Sequence, residues 1–460
     1  MRGTLPTFNE VWQREFRSGC LKQLEQFPPE TSFLIGCSGG MDSMLLLYFM
    51  AAVCPGRIRA IYVDHQLQAQ SRDWGVHVQA ECMKLDVPCI VQPVHVNAGN
   101  LERQAREARY QAYHQHIKSG EVLVLAHHQQ DQAETVLLRL FSGTGISGLS
   151  AMRQLDQRHE MPIWRPMLSL SREQICQWTE QLNISFIDDP SNNNTHYDRA
   201  WCRTMLWPLL ASRFSKMQQA VSRTASLMQD ADEILQEVLQ EDLKNCGNAQ
   251  QLDLARLKLL SKPRQRQLLS AWMKGEGIYR PAFEMVERIQ HEVIAAKADA
   301  QAALHWNKYY YVRYHGQLHR LQTDEYLAEK NSQLIFEKSL FPELSHVYQT
   351  ASGHYQIQPQ AVGLSADLLK QNLVLTSRQG GERIHLYGRV GAWPLKKAIQ
   401  EAQIFPWQRH QIQILSRDNV MLGVFTPKGF WLAQSPYCER GGWQPVLITQ
   451  QQQMYQQQQM

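Results

Sequence analysis

The period of the hydrophobic pattern changes along the chain, and the change divides it. Residues 33–37, Phe-Leu-Ile-Gly-Cys, are an apolar run that predicts a buried parallel strand, and the apolar stretch 45–53 predicts the helix behind it. Residues 58–63 predict a second strand ending at Asp64-His65, 74–84 a helix, and 89–96 a third strand. A long helix follows over 101–117, then a fourth strand over 122–126 that runs into His127-His128 and a further helix. Strands alternating with helices at this spacing predict an α/β domain on a mainly parallel sheet. Such sheets bind ligand beyond the carboxyl ends of their strands. Asp42, Asp64, His65, His127 and His128 gather there, although they are far apart in sequence.

Farther on the pattern becomes helical. Residues 211–243 predict one or two amphipathic helices, and 254–273 a largely helical stretch in which Pro263 starts a new helix. Residues 309–315, Tyr-Tyr-Tyr-Val-Arg-Tyr-His, predict an aromatic strand. A strand and a tight Gly380-Gly381 turn are predicted over 373–383, and a short helix over 396–401. Residues 450–460 are almost pure glutamine, which buries too little apolar area to fold, so they are expected to be a disordered tail.

The most specific chemistry lies on the first strand-to-helix turn, Ser38-Gly39-Gly40-Met41-Asp42-Ser43. Two glycines let backbone approach an anion closely. Ser38, Ser43 and the free N–H groups of the first helical turn supply donors. The turn has neither the lysine of a Walker-type phosphate loop nor the separated glycines of a dinucleotide fingerprint. It resembles the S-G-G-x-D-S loop of the N-type ATP pyrophosphatases, and that resemblance implies cleavage of ATP between its α- and β-phosphates with AMP transfer to an acceptor. An acid at position 42 on an anion-binding loop is sensible where it holds Mg²⁺ or an ordered network of donors.

Composition sets bounds without choosing a function. With 460 residues, 20% charged and 43% hydrophobic, the chain is globular and long enough for two to four domains of roughly 150 residues. A net charge of +4 neither requires nor excludes nucleic acid. Nine cysteines without C-x-x-C pairs, no signal peptide and no apolar stretch of about 18 residues predict a reduced, cytoplasmic protein without a membrane span. Cys82 and Cys89 are expected to be core or helix-end thiols rather than metal ligands.

Asp131 and Glu134, three apart in His128-Gln129-Gln130-Asp131-Gln132-Ala133-Glu134-Thr135, fall on one face of a helix. Near a triphosphate such a pair can hold Mg²⁺ or accept an ammonium group; alone, it is also an ordinary acidic first turn. Glu102, Arg106 and Arg109 form another stripe, open to simple ion pairing or to charge stabilisation on a pyrophosphate leaving group. Arg203 is a second cation of this kind. The glycine-rich segment 141–149 reads as a loop too flexible for an ordinary connection, and Asp188-Asp189-Pro190-Ser191-Asn192 as a polar turn.

Taken in order over residues 34–210, S-G-G-x-D-S, D-H, L-E-x-x-A-R-x-x-R-Y, A-H-H-x-x-D-x-x-E-T, G-x-G-x-x-G-L, and D-x-S-N with R-x-x-x-R resemble the bacterial tRNA(Ile)-lysidine synthetases. The resemblance implies ATP-dependent adenylation at C2 of the wobble cytidine in the CAU anticodon of an isoleucine tRNA. The ε-amine of L-lysine then displaces AMP, and decoding changes from AUG to AUA. On that reading Asp42, Arg109, Asp131, Glu134 and Arg203 are the catalytic candidates, and Asp42 and Asp131 the Mg²⁺ ligands. Ser38, Gly39, Gly40, Met41, Asp42, Ser43, Asp64, His65 and His127 are the ATP-binding candidates. Gln130, Ser142 and Ala200 depart from residues common in the family, an acid, an arginine and an asparagine.

The expected organisation is a parallel-sheet N-terminal PP-loop ATPase domain over 1–212, a mainly helical tRNA-binding domain over 213–330 and a linker over 331–352. A small α+β C-terminal tRNA-binding domain follows over 353–448, then the tail over 449–460. Lys258, Lys262, Arg264 and Arg266 beside the aromatic strand are candidates for RNA backbone, or solvated charges over a leucine core. Arg378, Arg383, Lys396, Lys397 and Arg409 are candidates for a phosphate-binding face whose affinity falls as salt rises. A homodimer is left open. The competing readings are a tRNA 2-thiolation enzyme, which needs catalytic cysteines or a cluster, an amidotransferase-coupled synthetase, and a non-catalytic RNA-binding module.

Overall fold

The computed structural model describes residues 4–68, 70–97, 99–158, 160–189, 195–277, 280–297, 302–327, 336–339 and 347–448. The chain forms two compact units, Met1–Val238 and Leu239–Met460.

The first unit is built on a six-stranded sheet. After helix α1 (Val11–Leu24) come β1 (Ser32–Gly36), α2 (Met41–Val53), β2 (Ile58–Asp64), α3 (Ser71–Lys84), β3 (Cys89–Pro93), α4 (Leu101–His116), β4 (Glu121–Val124) and α5 (Gln129–Phe141). A short helix α6 (Ile146–Leu149), the hairpin β5 (Leu155–Arg158) and β6 (Met161–Trp164), and helix α7 (Arg172–Gln181) follow. Strand order is β3-β2-β1-β4-β6-β5, parallel throughout except for the edge strand β5. The hairpin and α1 extend the fold beyond the predicted elements. The glycine-rich segment is also more ordered than expected, because α6 closes it into a helical turn.

Alternation along the strands explains the layers. Phe33 and Ile35 of β1 and Val122 and Val124 of β4 enter one core with α2 and Trp178 of α7. Leu34 and Leu123 point the other way, toward Tyr110, Ala112 and Tyr113 of α4. Helix α2 is buried almost from end to end, which is why its sequence is apolar all round. At Gly36 a Cβ would lie 2.8 Å from the Tyr113 hydroxyl and from Leu125 Cδ2, so the strand end admits no side chain.

After α8 (Asp198–Trp201), a π-turn at Cys202–Leu206 and α9 (Trp207–Arg213), the 30-residue α10 (Met217–Cys246) carries the chain into the second unit. There β7 (Gln251–Asp253), β8 (Ala303–Trp306), β9 (Tyr309–Tyr314) and β10 (Gln317–Gln322) make an antiparallel sheet in the order β7-β10-β9-β8. It accompanies α11 (Leu254–Leu259) and α12 (Lys262–Lys274), which Pro263 opens as predicted. The aromatic strand exists, as β9, within a four-stranded sheet that the helical pattern around it had masked.

A five-stranded antiparallel sheet follows, ordered Phe336–Ser339, Asn372–Ser377, Gln413–Arg417, Val420–Thr426 and Gly429–Leu432. Val347–Thr350, Gly353–Leu364 and Cys438–Arg440 form another, with Trp443–Leu447 paired to its long strand. The expected linker therefore contains strand residues, while 331–335 and 340–346 lie outside the described residues, as does the tail 449–460.

Candidate active site

The Ser38–Ser43 turn joins β1 to α2 with Gly39 at φ +85°, in the left-handed region. A Cβ there would stand 2.4 Å from Ile187 Cδ1, and the Gly39 carbonyl accepts the Ile187 N–H at 2.9 Å. Ser43 Oγ accepts the Ser38 N–H (3.1 Å), donates to the Gly40 carbonyl (2.9 Å) and lies 3.2 Å from Ser38 Oγ. These bonds fold the turn upon itself at the N-terminus of α2, a 13-residue helix whose first-turn N–H groups have no intrahelical carbonyl to meet, the kind of end that suits an anion.

Asp42 and Asp131 converge on His128. The His128 ring is buried, its Nδ1 accepts the Gln130 N–H at 3.2 Å, and the proton therefore resides on Nε2. That nitrogen lies 3.8 Å from Asp42 Oδ1 and 3.5 Å from Asp131 Oδ2. Asp131 Oδ2 also accepts the His128 backbone N–H at 3.0 Å, closing a capping box at the start of α5. Burial opposes ionisation of Asp131, yet His128, His127 and that N–H together hold its carboxyl below the usual range. Asp42 and Asp131 carry hard oxygens of the kind Mg²⁺ takes, with the Nε2–H of His128 between them.

Glu134 is differently placed. It is fully buried and engaged by Arg203, whose Nε and Nη2 donate to its two oxygens at 3.0 and 3.1 Å, while Gln130 Nε2 donates at 3.1 Å. Arg203 Nη2 also reaches within 3.7 Å of Asp131 Oδ1. Burial disfavours the guanidinium, but Glu134 and Asp131 raise its pKa and keep it charged.

Asp64 accepts the Gln66 N–H at 2.9 Å, shaping the turn beyond β2. His65 Nε2 accepts from Arg109 Nε at 3.3 Å, and its buried Nδ1 has no partner among the described residues. Burial, reinforced by Arg109, lowers the His65 pKa to about 4, so the ring is neutral. The proposed stripe on α4 is divided: Glu102 pairs with Arg199 at 3.3 Å, whereas Arg106 and Arg158 lie over the Tyr110 ring at 5.1 and 4.0 Å. Burial and crowding by Arg199, Arg158 and Arg109 depress the Arg106 pKa. Two of these arginines have carboxylate partners, Arg199 with Glu102 and Arg158 with Glu107 at 3.0 Å, while Arg106 rests on the Tyr110 ring.

Two arginines at the site escaped the sequence reading. Arg172, the first residue of α7, donates from Nη1 to both oxygens of Asp42 at 2.8 Å. Arg165, directly after β6, donates from Nε to His127 Nδ1 at 3.2 Å. The available signal for Arg165 was its place behind an apolar strand, the same signal that singled out Asp64 and His127. Ser191 and Asn192 lie outside the described residues.

The cysteines offer no activated thiol here. Cys37 is buried behind the loop, and burial pushes its pKa up to about 11. Cys82 is buried in the last turn of α3, as expected of a core thiol. Among the described residues no group of three or more His, Cys, Asp and Glu side chains is arranged to hold a metal by protein ligands alone.

In the second unit much of the expected RNA face is otherwise engaged. Tyr311 is fully buried and donates to the Met273 carbonyl at 2.8 Å, Tyr310 stacks on Tyr326 with centroids 4.3 Å apart, and Arg264 Nε pairs with buried Asp242 at 3.0 Å. Arg378 reaches Glu382 at 3.5 Å, Arg383 donates to the Ala392 carbonyl, and Lys397 lies 4.9 Å from the Trp393 centroid. Arg409 donates to the Ile404 carbonyl at 3.4 Å, and Lys396 is exposed.

Three stretches of the chain match known protein families. Residues 13–210 match a PP-loop domain, 252–319 a TilS substrate binding domain and 373–443 a TilS substrate C-terminal domain. The tRNA(Ile)-lysidine synthase of Acinetobacter baylyi is 62% identical over 98% of both chains. Those of Alkalilimnicola ehrlichii and Haemophilus ducreyi are 32% and 31% identical, over 88% of this chain in each case and 91% and 96% of theirs. With such identity carried from end to end, the chain belongs to the tRNA(Ile)-lysidine synthase family.

Proposed function

We propose that this protein forms lysidine on an isoleucine tRNA with a CAU anticodon, in two steps at the carboxyl edge of the N-terminal sheet. The observation that carries the mechanism is the meeting of the Ser38–Ser43 cradle with Asp42 and Asp131 around His128. In the first step the C2 carbonyl oxygen of the wobble cytidine attacks the α-phosphorus of ATP. The bond from α-phosphorus to the bridging oxygen breaks, and pyrophosphate leaves. In the second the deprotonated ε-amine of lysine bonds to C2 while the C2–O bond breaks, and AMP departs with that oxygen.

Each residue serves a charge that these steps create. The cradle N–H groups and serine hydroxyls hold the pyrophosphate. Arg109, beside His65, stabilises negative charge on the phosphates. Asp42 and Asp131 would hold Mg²⁺, which neutralises phosphate charge when bound. For Asp42 this requires release of Arg172, whose guanidinium is then available for an anion. A carboxylate of the site takes the proton from the lysine ammonium. Glu134, locked by Arg203, orients that arginine toward Asp131. The buried, protonated Cys37 disfavours sulfur delivery from the loop.

Asp42→Asn tests the assignment. It should abolish pyrophosphate release in a single turnover while circular dichroism stays unchanged. A retained burst contradicts the role of Asp42.

A further inference from the structure

We infer that Arg165 is a positioning residue that fixes His127 as its Nε2–H tautomer and so presents an uncharged hydrogen-bond donor to a substrate oxygen at the carboxyl end of β4. A guanidinium has donors and no acceptor, so the 3.2 Å contact from Arg165 Nε requires an unprotonated Nδ1 on His127. The remaining proton of a neutral imidazole is then on Nε2, which has no hydrogen-bond partner among the described residues.

Arg165 has little freedom to do otherwise. It is buried, and its Nη1 donates to the Arg153 carbonyl at 2.7 Å and to Asp156 Oδ2 at 3.0 Å. Its backbone is fixed as well. Val124 of β4 pairs with Trp164 of β6, the Leu125 N–H donates to the Trp164 carbonyl at 3.0 Å, and the Arg165 N–H donates to the Gln154 carbonyl at 2.8 Å. This parallel register brings the residue after β6 beside the segment leading from β4 to His127. The charged groups facing His127 are Asp131, Arg165, Arg106 and Arg199; burial outweighs the attraction of Asp131 and, with the arginines, keeps the ring neutral. The arrangement resembles the outer partners of metal-bound histidines, which set a tautomer from behind. The identity of the oxygen that meets Nε2–H rests on the proposed nucleotide site, but the tautomer does not.

The test uses full-length protein labelled with ¹⁵N-histidine, with His127→Gln identifying the resonances of His127 by their loss. Long-range ¹H–¹⁵N correlation at neutral pH, without substrate, should show a protonated Nε2 and an unprotonated Nδ1. A protonated Nδ1, in either the other tautomer or the imidazolium, would overturn the inference. In Arg165→Gln the two nitrogen shifts should move toward an average of tautomers; unchanged shifts in that variant would equally overturn it. Turnover should fall roughly 10- to 100-fold in Arg165→Gln, with little further loss when the change is made on His127→Gln. Additive losses would mean that Arg165 acts independently of His127. Should Arg165→Gln fail to fold, the wild-type tautomer still decides. Because that measurement needs no tRNA, ATP or lysine, a failure of the lysidine assignment leaves it standing.

Discussion

Glu134 is a carboxylate without exposure whose charge is balanced by Arg203 through two hydrogen bonds of 3.0 and 3.1 Å. A buried pair of this kind contributes little net stability against an apolar replacement, but losing one partner leaves the other charge stranded. Arg203→Ala should therefore destabilise the first unit by about 3 kcal/mol, and Glu134→Gln added to it should recover part of the loss. Urea unfolding of the single and double variants measures both. No recovery would mean that the bare Glu134 charge is not what the single variant suffers from. The sequence placed Asp131 and Glu134 on one helical face, yet helical spacing says nothing of what opposes that face. One acid meets His128 and the other is sealed by Arg203. Arg172 and Arg165 were invisible for a related reason: their partners lie 130 and 38 positions away and are chosen by tertiary packing.

The strand-to-helix turn was the most readable element because its chemistry is local. Two adjacent glycines, flanking serines and an apolar strand suffice to identify it, and the backbone follows, with φ +85° at Gly39. Gly39→Ala places a side chain in the left-handed region and its Cβ 2.4 Å from Ile187. The variant should lose about 1–3 kcal/mol and bind pyrophosphate more weakly, as urea unfolding and calorimetry would show. Undiminished binding would mean that the turn adjusts without its left-handed residue. The β5–β6 hairpin was harder to foresee, since two four-residue strands, one containing Pro162, carry no period to detect. Nor could the aromatic pattern of β9 reveal its faces. Tyr311 fills the core, and the sheet that buries it joins β7 to β8, β9 and β10 across the helical stretch between Leu254 and Ile294.

Over the whole molecule, a nucleotide-handling unit is joined to a second unit whose domains match the substrate-binding and C-terminal modules of the same family. No helix among the described residues is long and apolar enough to cross a membrane. ATP use follows from the PP-loop match and the tRNA from family membership, so the proposed attack by the lysine amine is the part most exposed to refutation. Purified protein should therefore be supplied with ATP, labelled L-lysine and an isoleucine tRNA carrying a CAU anticodon. Label should enter the tRNA, with AMP and pyrophosphate released, and should fail to enter when the wobble cytidine is replaced. Label that remains free while ATP is consumed, or that enters irrespective of the wobble base, would contradict the assignment.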